Sequence, residues 1–181
     1  MKTPRVSVKE LITPIGQMLG AASEEGLLFL GFADSLSVGF ALKQAVESCG
    51  GVFEGLKKSQ KNPHLLLLQR ELTEYFAEGR KTFSVPVILT GTTFQKKAWR
   101  ALESIPYGET WSYSRQAASM GVPQAVRAVG SANGKNRIPI VVPCHRVIAK
   151  DGSLGGYSGG LWRKEYLLAL EREVLQVPHS T

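Results

Sequence analysis

The spacing of apolar residues in the first half of the chain predicts short β-strands joined by turns. Two apolar runs, 17–22 and 27–32, flank the four turn-forming residues 23–26, and this order predicts a β-hairpin within residues 13–32. A third apolar run, at 83–89, predicts another strand. Together these runs predict a small antiparallel sheet.

Helical periodicity lies between these strands. Apolar residues recur every three or four positions over 36–49 and 64–77, and Gly50 and Gly79 follow the two segments as stop signals. Strands with helices between them are typical of a small α+β domain. Because this part of the chain holds no cluster of reactive side chains, we expect residues 1–89 to form a scaffolding domain.

Turn-forming residues at 90–93 mark the expected domain boundary, because threonine and glycine are typical of a turn that leads into a helix N-cap. A helix is predicted from Phe94 to Leu102, with stop signals at 105–108. Further helices follow, so we expect residues 90–181 to form a second, mostly helical domain.

Two short helices in succession, 112–120 and 124–132, are predicted on either side of the tight turn Gly121-Val122-Pro123, with the spacing of a helix-turn-helix. The outer face of the second helix carries one long side chain among small residues: Arg127, Gly130, Ser131 and Gly134. Small residues let a helix backbone approach a narrow groove and its phosphates, with little readout of bases. Arg127 is then either a wedge into the base stack or an ordinary surface arginine.

The apolar run 140–148 carries a thiol and an imidazole side by side, at Cys144 and His145. Only the thiolate is a strong nucleophile, and at an unperturbed pKa about 3% of a cysteine is thiolate at neutral pH. A neighbouring histidine or positive charge raises that fraction. If the run is an extended strand, the two side chains point to opposite faces, and a bridging water links them more easily than direct contact does. The alternative is a buried structural thiol beside a structural histidine.

A turn and a glycine-rich loop follow this run. Asp151-Gly152 predicts the turn. The loop, 154–160, lacks the lysine of a phosphate-binding loop and does not match a dinucleotide fingerprint. Glycines instead permit a close wall around a flat ligand, with Tyr157 and Ser158 placed for stacking and hydrogen bonding.

A final helix is predicted over 161–174, and two of its glutamates have mainly apolar neighbours. Glu171 and Glu165 each have four apolar or aromatic residues three or four positions away. A carboxylate in such surroundings needs a partner, and His145 is an attractive one. Helix geometry by itself does not choose between the two glutamates.

Charge and composition narrow the functional classes. Residues 1–90 hold 10 basic and 9 acidic residues, whereas residues 91–181 hold 12 and 6, so most of the net charge of +7 lies in the half with Cys144. A polyanion such as nucleic acid is a natural partner for that half. The two cysteines show no metal-binding spacing, no apolar run spans a bilayer, and the N-terminus lacks the apolar segment of a secretory signal. We therefore expect no metal, no cofactor, no membrane association and a reducing intracellular location.

The segment Pro143-Cys144-His145-Arg146-Val147 resembles the active-site motif of the O6-alkylguanine-DNA alkyltransferases, also called methylated-DNA–protein-cysteine methyltransferases. Further matches to the family pattern are spread over about residues 90–175: Phe94-Gln95, Trp99, Ile105 to Gly108, Ser112-Tyr113, Arg127 to Gly130, and Gly155 to Glu171. Residues 1–89 resemble the variable N-terminal domain of the family only loosely. The resemblance implies a ribonuclease-H-like N-terminal domain and a winged-helix-like C-terminal domain.

The resemblance implies chemical roles for five residues. Cys144 would be the alkyl acceptor, deprotonated through a water by His145, which Glu171 would orient. This assignment selects Glu171 from the two glutamates of the final helix. Tyr113 would donate a hydrogen bond to the leaving guanine, and Asn136 would order the loop before the thiol. The thioether product is stable, so the transfer would be irreversible and each protein molecule would react once.

The resemblance also implies the surfaces that bind DNA and the damaged base. Residues expected to contact DNA in the minor groove, without sequence specificity, are Arg127, Ala128, Gly130, Ser131 and Ser112. Residues expected to form the base pocket are Tyr157, Ser158, Val147, Gly155, Gly159 and Asn133. Position 133 is apolar in some members of the family, and this difference bears on the choice of alkyl group. Some members also bind zinc through N-terminal cysteines and histidines, but this chain offers only Cys49 and His64 there, so we expect no zinc.

The implied function is repair of double-stranded DNA that contains O6-alkylguanine, with O4-alkylthymine as a further candidate substrate. The protein would act as a monomer, in the cytoplasm of a prokaryote or the nucleus of a eukaryote. Three alternatives belong to other classes: a protein that binds alkylated DNA without chemistry, a cysteine hydrolase and a helix-turn-helix regulator. The first lacks an acceptor thiol, the second needs an oxyanion hole, and the third needs more base-reading side chains than this helix carries.

Overall fold

The computed structural model describes residues 3–53 and 61–176, and the chain divides into two compact units, Met1–Gly91 and Thr92–Thr181. The architecture is α+β, as predicted. Within the described residues, no helix is long and apolar enough to cross a membrane.

The first unit contains a four-stranded sheet. Its strands are β1 (Arg5–Thr13), β2 (Gly16–Ala22), β3 (Leu27–Phe32) and β4 (Val52–Phe53), in the spatial order β3-β2-β1-β4. Strands β1, β2 and β3 are antiparallel, and β4 joins β1 in parallel. The predicted hairpin is confirmed as β2 and β3.

Two features of this sheet differ from the prediction. The apolar pattern does not predict β1, because the charged pair Lys9-Glu10 interrupts its alternation, yet pairing with β2 along Ser7 to Thr13 holds it in the sheet. The predicted strand at 83–89 is wrong, since within the described parts of the chain only one bridge, between Leu27 and Val87, forms there. Pro86 lacks an N–H group and cannot continue a ladder.

Both predicted helices of the first unit are confirmed, as α1 (Val38–Ser48) and α2 (Pro63–Ala77). Helix α2 begins after its cap Asn62, whose side chain accepts a hydrogen bond from the N–H of His64 at 3.0 Å. The sheet and α1 enclose an apolar core: Val6, Ala21, Leu28, Phe29, Ala45 and Val46.

This unit also buries a carboxylate, that of Glu71 on α2, which has no exposed surface. It accepts hydrogen bonds from the N–H and hydroxyl of Ser84 at 2.9 and 2.5 Å, and from the N–H of Val85 at 3.1 Å. Arg80 Nη1 donates to the same carboxylate at 3.1 Å. These bonds fasten the segment after α2 back onto that helix.

The second unit is mostly helical, as predicted. Its elements in chain order are α3 (Thr93–Glu103), β5 (Trp111–Ser112), α4 (Tyr113–Ser119), α5 (Val126–Gly134), a 3-10 turn (Cys144–Arg146), β6 (Val147–Ile148) and α6 (Leu161–Gln176). The expected N-cap is Thr92, which exchanges hydrogen bonds with Gln95 in a capping box. Strands β5 and β6 pair in parallel.

The predicted helix-turn-helix is confirmed as α4 and α5. Helix α5 begins and ends two residues later than predicted, because Ala125 is still in the turn and donates its N–H to Val122 O at 2.9 Å. Gly121 enables this turn with a φ of 71°. The two helices and α3 share a small apolar core: Ala98, Ala117, Met120, Val129 and Ala132.

Candidate active site

The segment that carries the thiol is a series of tight turns and not an extended strand. Cys144–Arg146 forms one 3-10 turn, and only Val147–Ile148 continues as strand β6. Pro139 and Pro143 lack N–H groups, so this segment cannot pair regularly within a sheet. Ile140 has a φ of 74°, a conformation that costs a β-branched residue about 1–3 kcal/mol and persists only where the surroundings impose it.

Asn136 holds this turn from inside. Its amide nitrogen donates to Val142 O at 2.8 Å, and its amide oxygen accepts from the N–H of Ile138 at 3.0 Å. These two bonds to the backbone order the residues just before Cys144.

A cavity of about 400 Å³ opens beside Cys144, a size typical of small-molecule sites. Its lining combines the thiol, two tyrosines, two small polar side chains and several glycines: Tyr113, Gly130, Asn133, Gly134, Cys144, Gly156, Tyr157 and Ser158. Three of the predicted pocket residues, Asn133, Tyr157 and Ser158, are among them. Gly130, predicted to contact DNA, lines the cavity as well.

Two buried cations anchor the glycine-rich loop that forms one wall of the cavity. The ammonium group of Lys164 donates to three backbone carbonyls, those of Val147, Leu154 and Gly156. Arg163 Nη1 donates to Gly159 O at 2.8 Å. Val147 and Gly159, predicted to line the pocket, therefore contribute carbonyls that fasten the wall.

Burial raises the pKa of the Cys144 thiol, so the resting side chain is protonated. A hydrogen bond from Asn136 and the positive charge of Lys164 oppose this effect without overcoming it. Burial also lowers the pKa of Lys164 to about 8, and a thiolate formed at Cys144 opposes this effect. The neighbouring groups thus do not maintain a thiolate at rest, and a base is needed to form it.

A buried chain of hydrogen bonds joins the imidazole to a carboxylate. His145 Nε2 lies 2.8 Å from Glu171 Oε1, and neither side chain has exposed surface. Arg146 donates to the same carboxylate through Nε at 2.9 Å and Nη2 at 3.0 Å, and the N–H of Gly108 donates to it at 2.9 Å. Glu171 is therefore the glutamate that pairs with the imidazole, whereas Glu165 is exposed.

The charge states of this chain follow from burial and its partners. Burial alone raises the pKa of Glu171, but the hydrogen bonds from His145 and Arg146, together with the positive charge of Arg146, outweigh it and bring that pKa to about 2. Burial lowers the pKa of His145 despite the hydrogen bond to Glu171, so the imidazole is neutral and the permanent charge of Arg146 keeps the carboxylate ionised. The imidazole then donates from Nε2 and carries its lone pair on Nδ1. Nδ1 is buried and has no hydrogen-bond partner among residues 3–53 and 61–176.

Tyr113 lies against two glycines at the cavity. A Cβ added to Gly155 would lie 2.9 Å from the Tyr113 hydroxyl, and one added to Gly130 would lie 3.6 Å from its ring. The predicted pocket residue Gly155 therefore makes room for this tyrosine. Burial and the nearby Cys144 raise the pKa of Tyr113, opposed by a hydrogen bond with the Gly156 backbone, so the hydroxyl keeps its proton at neutral pH.

The outer face of α5 is exposed and carries few long side chains, as predicted. Its exposed residues include Arg127, Ala128 and Ser131. Ser112, also predicted to contact DNA, is the N-cap of α4, and its hydroxyl accepts a hydrogen bond from the N–H of Arg115 at 3.1 Å. The helix-turn-helix thus presents a small-residue face next to the cavity that holds the thiol.

Two sequence models of one protein family match most of the chain. The ribonuclease-like domain of 6-O-methylguanine DNA methyltransferase matches residues 11–89, and the DNA binding domain of the same family matches residues 93–173. The chain belongs to this family. The match over residues 11–89 confirms the ribonuclease-like fold that we expected for the N-terminal domain.

Individual relatives agree with this membership. The constitutive methylated-DNA–protein-cysteine methyltransferase of Bacillus subtilis (strain 168) is 44% identical over 163 residues, covering 88% of this chain and 92% of that protein. The O6-methylguanine methyltransferase of Mycobacterium tuberculosis has a crystal structure with a TM-score of 0.79 at 36% identity, covering 97% of this chain and 96% of that one. A crystal structure of Mycobacterium tuberculosis OGT in complex with DNA has a TM-score of 0.75 at 37% identity, covering 94% of each chain.

Three residues that shape the site were not among the site residues predicted from the sequence: Arg146, Lys164 and Gly108. Lys164 had a signal, because it shares the buried face of α6 with Leu167, Leu168 and Glu171. Arg146 and Gly108 lie within the segments that resemble the family pattern, but the local sequence does not predict their roles, because each meets a carboxylate far away in the sequence.

Proposed function

We propose that this chain repairs double-stranded DNA by moving one alkyl group from O6-alkylguanine to Cys144, irreversibly and once per protein molecule. The observation that carries the proposal is the buried cluster at the cavity: a protonated thiol followed in the same turn by a neutral imidazole that is bound to an ionised carboxylate. Such a cluster supplies an acceptor and a base. Membership of the 6-O-methylguanine DNA methyltransferase family supports the substrate class.

In the first step, His145 acts as the base. Its Nδ1 lone pair takes the proton of Cys144 through a bridging water, and Glu171 stabilises the imidazolium that forms. Arg146 keeps Glu171 ionised during this transfer. The nearby ammonium group of Lys164 favours the new thiolate.

In the second step, the thiolate displaces guanine from the alkyl carbon. The S–C bond forms as the C–O6 bond breaks, and the electron pair of the broken bond stays on guanine. Guanine leaves readily only if a donor meets its developing negative charge. The protonated Tyr113 hydroxyl is that donor, and Ser158 offers a second hydroxyl in the cavity wall. Because the thioether is stable, the protein is consumed.

The target base must leave the duplex to reach the cavity, which costs a few kcal/mol. The small outer residues of α5 fit against the minor groove, and Arg127 fills the gap left by the extruded nucleotide. Backbone contacts give affinity without sequence specificity. One chain holds every group that these steps use, so we propose a monomer, located with chromosomal DNA in the cytoplasm of a prokaryote or the nucleus of a eukaryote.

Isotope transfer tests this proposal directly. The protein is incubated with duplex DNA that carries O6-methylguanine with a labelled methyl group, and the label is located by mass spectrometry of the digested protein. We expect one labelled methyl group per protein molecule, on Cys144, and no transfer by Cys144→Ser. Cys49→Ser is the matched control and should transfer normally, since Cys49 lies in the first unit.

Two other outcomes would contradict the proposal. Repeated turnover by one protein molecule would exclude a one-use acceptor. Retention of every labelled methyl group in the DNA would exclude the transfer altogether. O4-methylthymine placed in the same duplex tests the second candidate substrate.

A further inference from the structure

A buried pair of amide side chains, which the proposed chemistry does not use, connects three helices of the second unit. Gln116 on α4 has no exposed surface, and Asn133 on α5 is 6% exposed. Asn133 Nδ2 donates to Gln116 Oε1 at 2.7 Å, and Gln116 Nε2 donates to Asn133 Oδ1 at 3.1 Å. Gln116 Nε2 also donates to the carbonyl of Ala98 on α3 at 3.0 Å. Because a carbonyl only accepts, this contact determines which end of each amide is nitrogen.

The surroundings of this pair are apolar. The core of the helix-turn-helix consists of Ala98, Ala117, Met120, Val129 and Ala132. A buried amide is tolerated there only with its hydrogen bonds made, and removal of one partner leaves the other unsatisfied. Two reciprocal bonds also resist rotation, so each amide plane keeps one orientation.

Only one of the two amides reaches the cavity. Asn133 lines it together with Cys144, whereas Gln116 is not among the lining residues. Gln116 lies one helical turn after Tyr113 on α4, and Asn133 lies just under two turns after Arg127 on α5. The pair therefore braces the helices that carry the cavity tyrosine and the exposed arginine.

We infer that Gln116 is a positioning residue: it holds the Asn133 amide in the cavity wall and thereby determines how tightly a purine base binds, without setting how fast the thiol reacts. The inference rests on the proposed function, because it takes the bound base to be an alkylated guanine. Once Gln116 is lost, the Asn133 amide is free to rotate toward another partner, and the wall facing the base changes. None of the hydrogen bonds of the pair described above involves His145 or Glu171.

The test separates binding from chemistry with a free base as the probe. Transfer of labelled methyl from free O6-methylguanine to Cys144 is followed over a range of base concentrations. For Gln116→Leu, we expect the half-saturating concentration to rise about tenfold, the scale set by one unsatisfied buried group. The maximum rate at saturating base should stay within about threefold of the original protein, because the base and the acceptor are untouched.

Two further variants control for loss of stability. Val129→Ala removes apolar contacts from the same core without touching the pair, so it should lower Tm and leave the half-saturating concentration unchanged. Gln116→Glu keeps the shape and still accepts from Asn133, but a carboxyl has at most one O–H, so it cannot donate to both Asn133 and Ala98. It should weaken base binding in the same direction, and it carries the test if Gln116→Leu does not fold.

Each result supports or overturns the inference. A lower Tm with an unchanged half-saturating concentration in the Gln116 variants overturns it, and so does an equal shift in Val129→Ala. Failure of the original protein to transfer any methyl group overturns the proposed function itself. Normal transfer by that protein, with Gln116 variants that bind base normally, overturns only the role of Gln116.

Discussion

Among the residues that the structure describes, each unit buries one glutamate completely, and the partners of the two glutamates differ. Glu71, in the first unit, accepts hydrogen bonds from the backbone and hydroxyl of Ser84 and from Arg80. Glu171, in the second unit, accepts from His145 and Arg146. Both carboxylates are paired with an arginine, and of the two only Glu171 is also bonded to an imidazole, a group that can take up and release a proton.

This difference shows what turns a buried carboxylate into part of a reactive site. The partners of Glu71 keep the same protonation state, so this carboxylate only links α2 to the segment that follows it. A titratable imidazole makes Glu171 an orienting and charge-stabilising group for a base. Burial is the same in both units, so burial by itself does not identify the reactive one.

The largest expected contrast comes from replacing each glutamate with glutamine. Glu171→Gln should slow methyl transfer from duplex DNA about 10²- to 10⁴-fold, because the amide no longer stabilises the imidazolium. Glu71→Gln should leave the transfer rate of the folded protein unchanged and lower the free energy of unfolding by about 3 kcal/mol, because an amide nitrogen then faces donors. Single-turnover rates and denaturant unfolding measure the two effects.

The comparison fails if both variants lose transfer to the same degree while folded. It also fails if Glu171→Gln transfers methyl at the original rate.

Acid should destabilise the second unit through Glu171 and His145. The folded pKa of Glu171, about 2, lies below its ordinary value of 4.5, so its stabilisation is complete above pH 4.5 and is lost as the pH falls toward 2. Burial also lowers the pKa of His145 below its ordinary 6.5, so its contribution is present above pH 6.5 and is lost as the pH falls below that value. Both residues therefore make the second unit less stable as the pH falls.

Tryptophan fluorescence can follow this effect in one unit, because all three tryptophans of the chain, Trp99, Trp111 and Trp162, lie in the second unit. Denaturant unfolding between pH 7.5 and pH 3 should show decreasing stability in this signal. Glu171→Gln should remove the part of the decrease that occurs below pH 4.5. A stability that stays constant across this pH range would contradict the assigned charge states.

The smallest contrast uses one arginine from each unit. Arg127 is exposed on α5, so Arg127→Ala should slow transfer from duplex DNA about tenfold, leave transfer from the free base unchanged, and alter stability little. Arg80 pairs with Glu71 at 3.1 Å and Glu74 at 2.5 Å, so Arg80→Ala should cost about 1–3 kcal/mol of stability and leave both transfer rates unchanged. Equal loss on duplex and free base in Arg127→Ala would refute its role in extrusion.

Several parts of the fold were predictable because they depend on neighbours in the sequence. The β2–β3 hairpin, the capped start of α3 and the helix-turn-helix each follow from turn residues and periodicity within a short window. Strand β1 and the failed strand at 83–89 were not predictable in this way. The ladder with β2 outweighs the charges inside β1, and Pro86 prevents a ladder in an otherwise apolar run.

The candidate site likewise has features that the sequence predicts and features that it does not. Its chemical groups, the thiol, the imidazole and the exposed arginine, were apparent from residue types and spacing. The turn at Cys144 was not, because it depends on Asn136 bonding to Val142 and on a left-handed Ile140 in a run that reads as a strand.

By itself, the sequence determined which reactive groups the protein carries and that a basic, helical half surrounds them. The tertiary structure decided that the thiol rests protonated and that the imidazole rests neutral, and it placed Glu171 2.8 Å from His145. The physical reason is that a pKa depends on burial and on partners that folding brings together, such as His145 and Glu171, which are 26 positions apart. Burial and the contacts between distant residues are properties of the folded chain, and a local pattern of residues does not contain them.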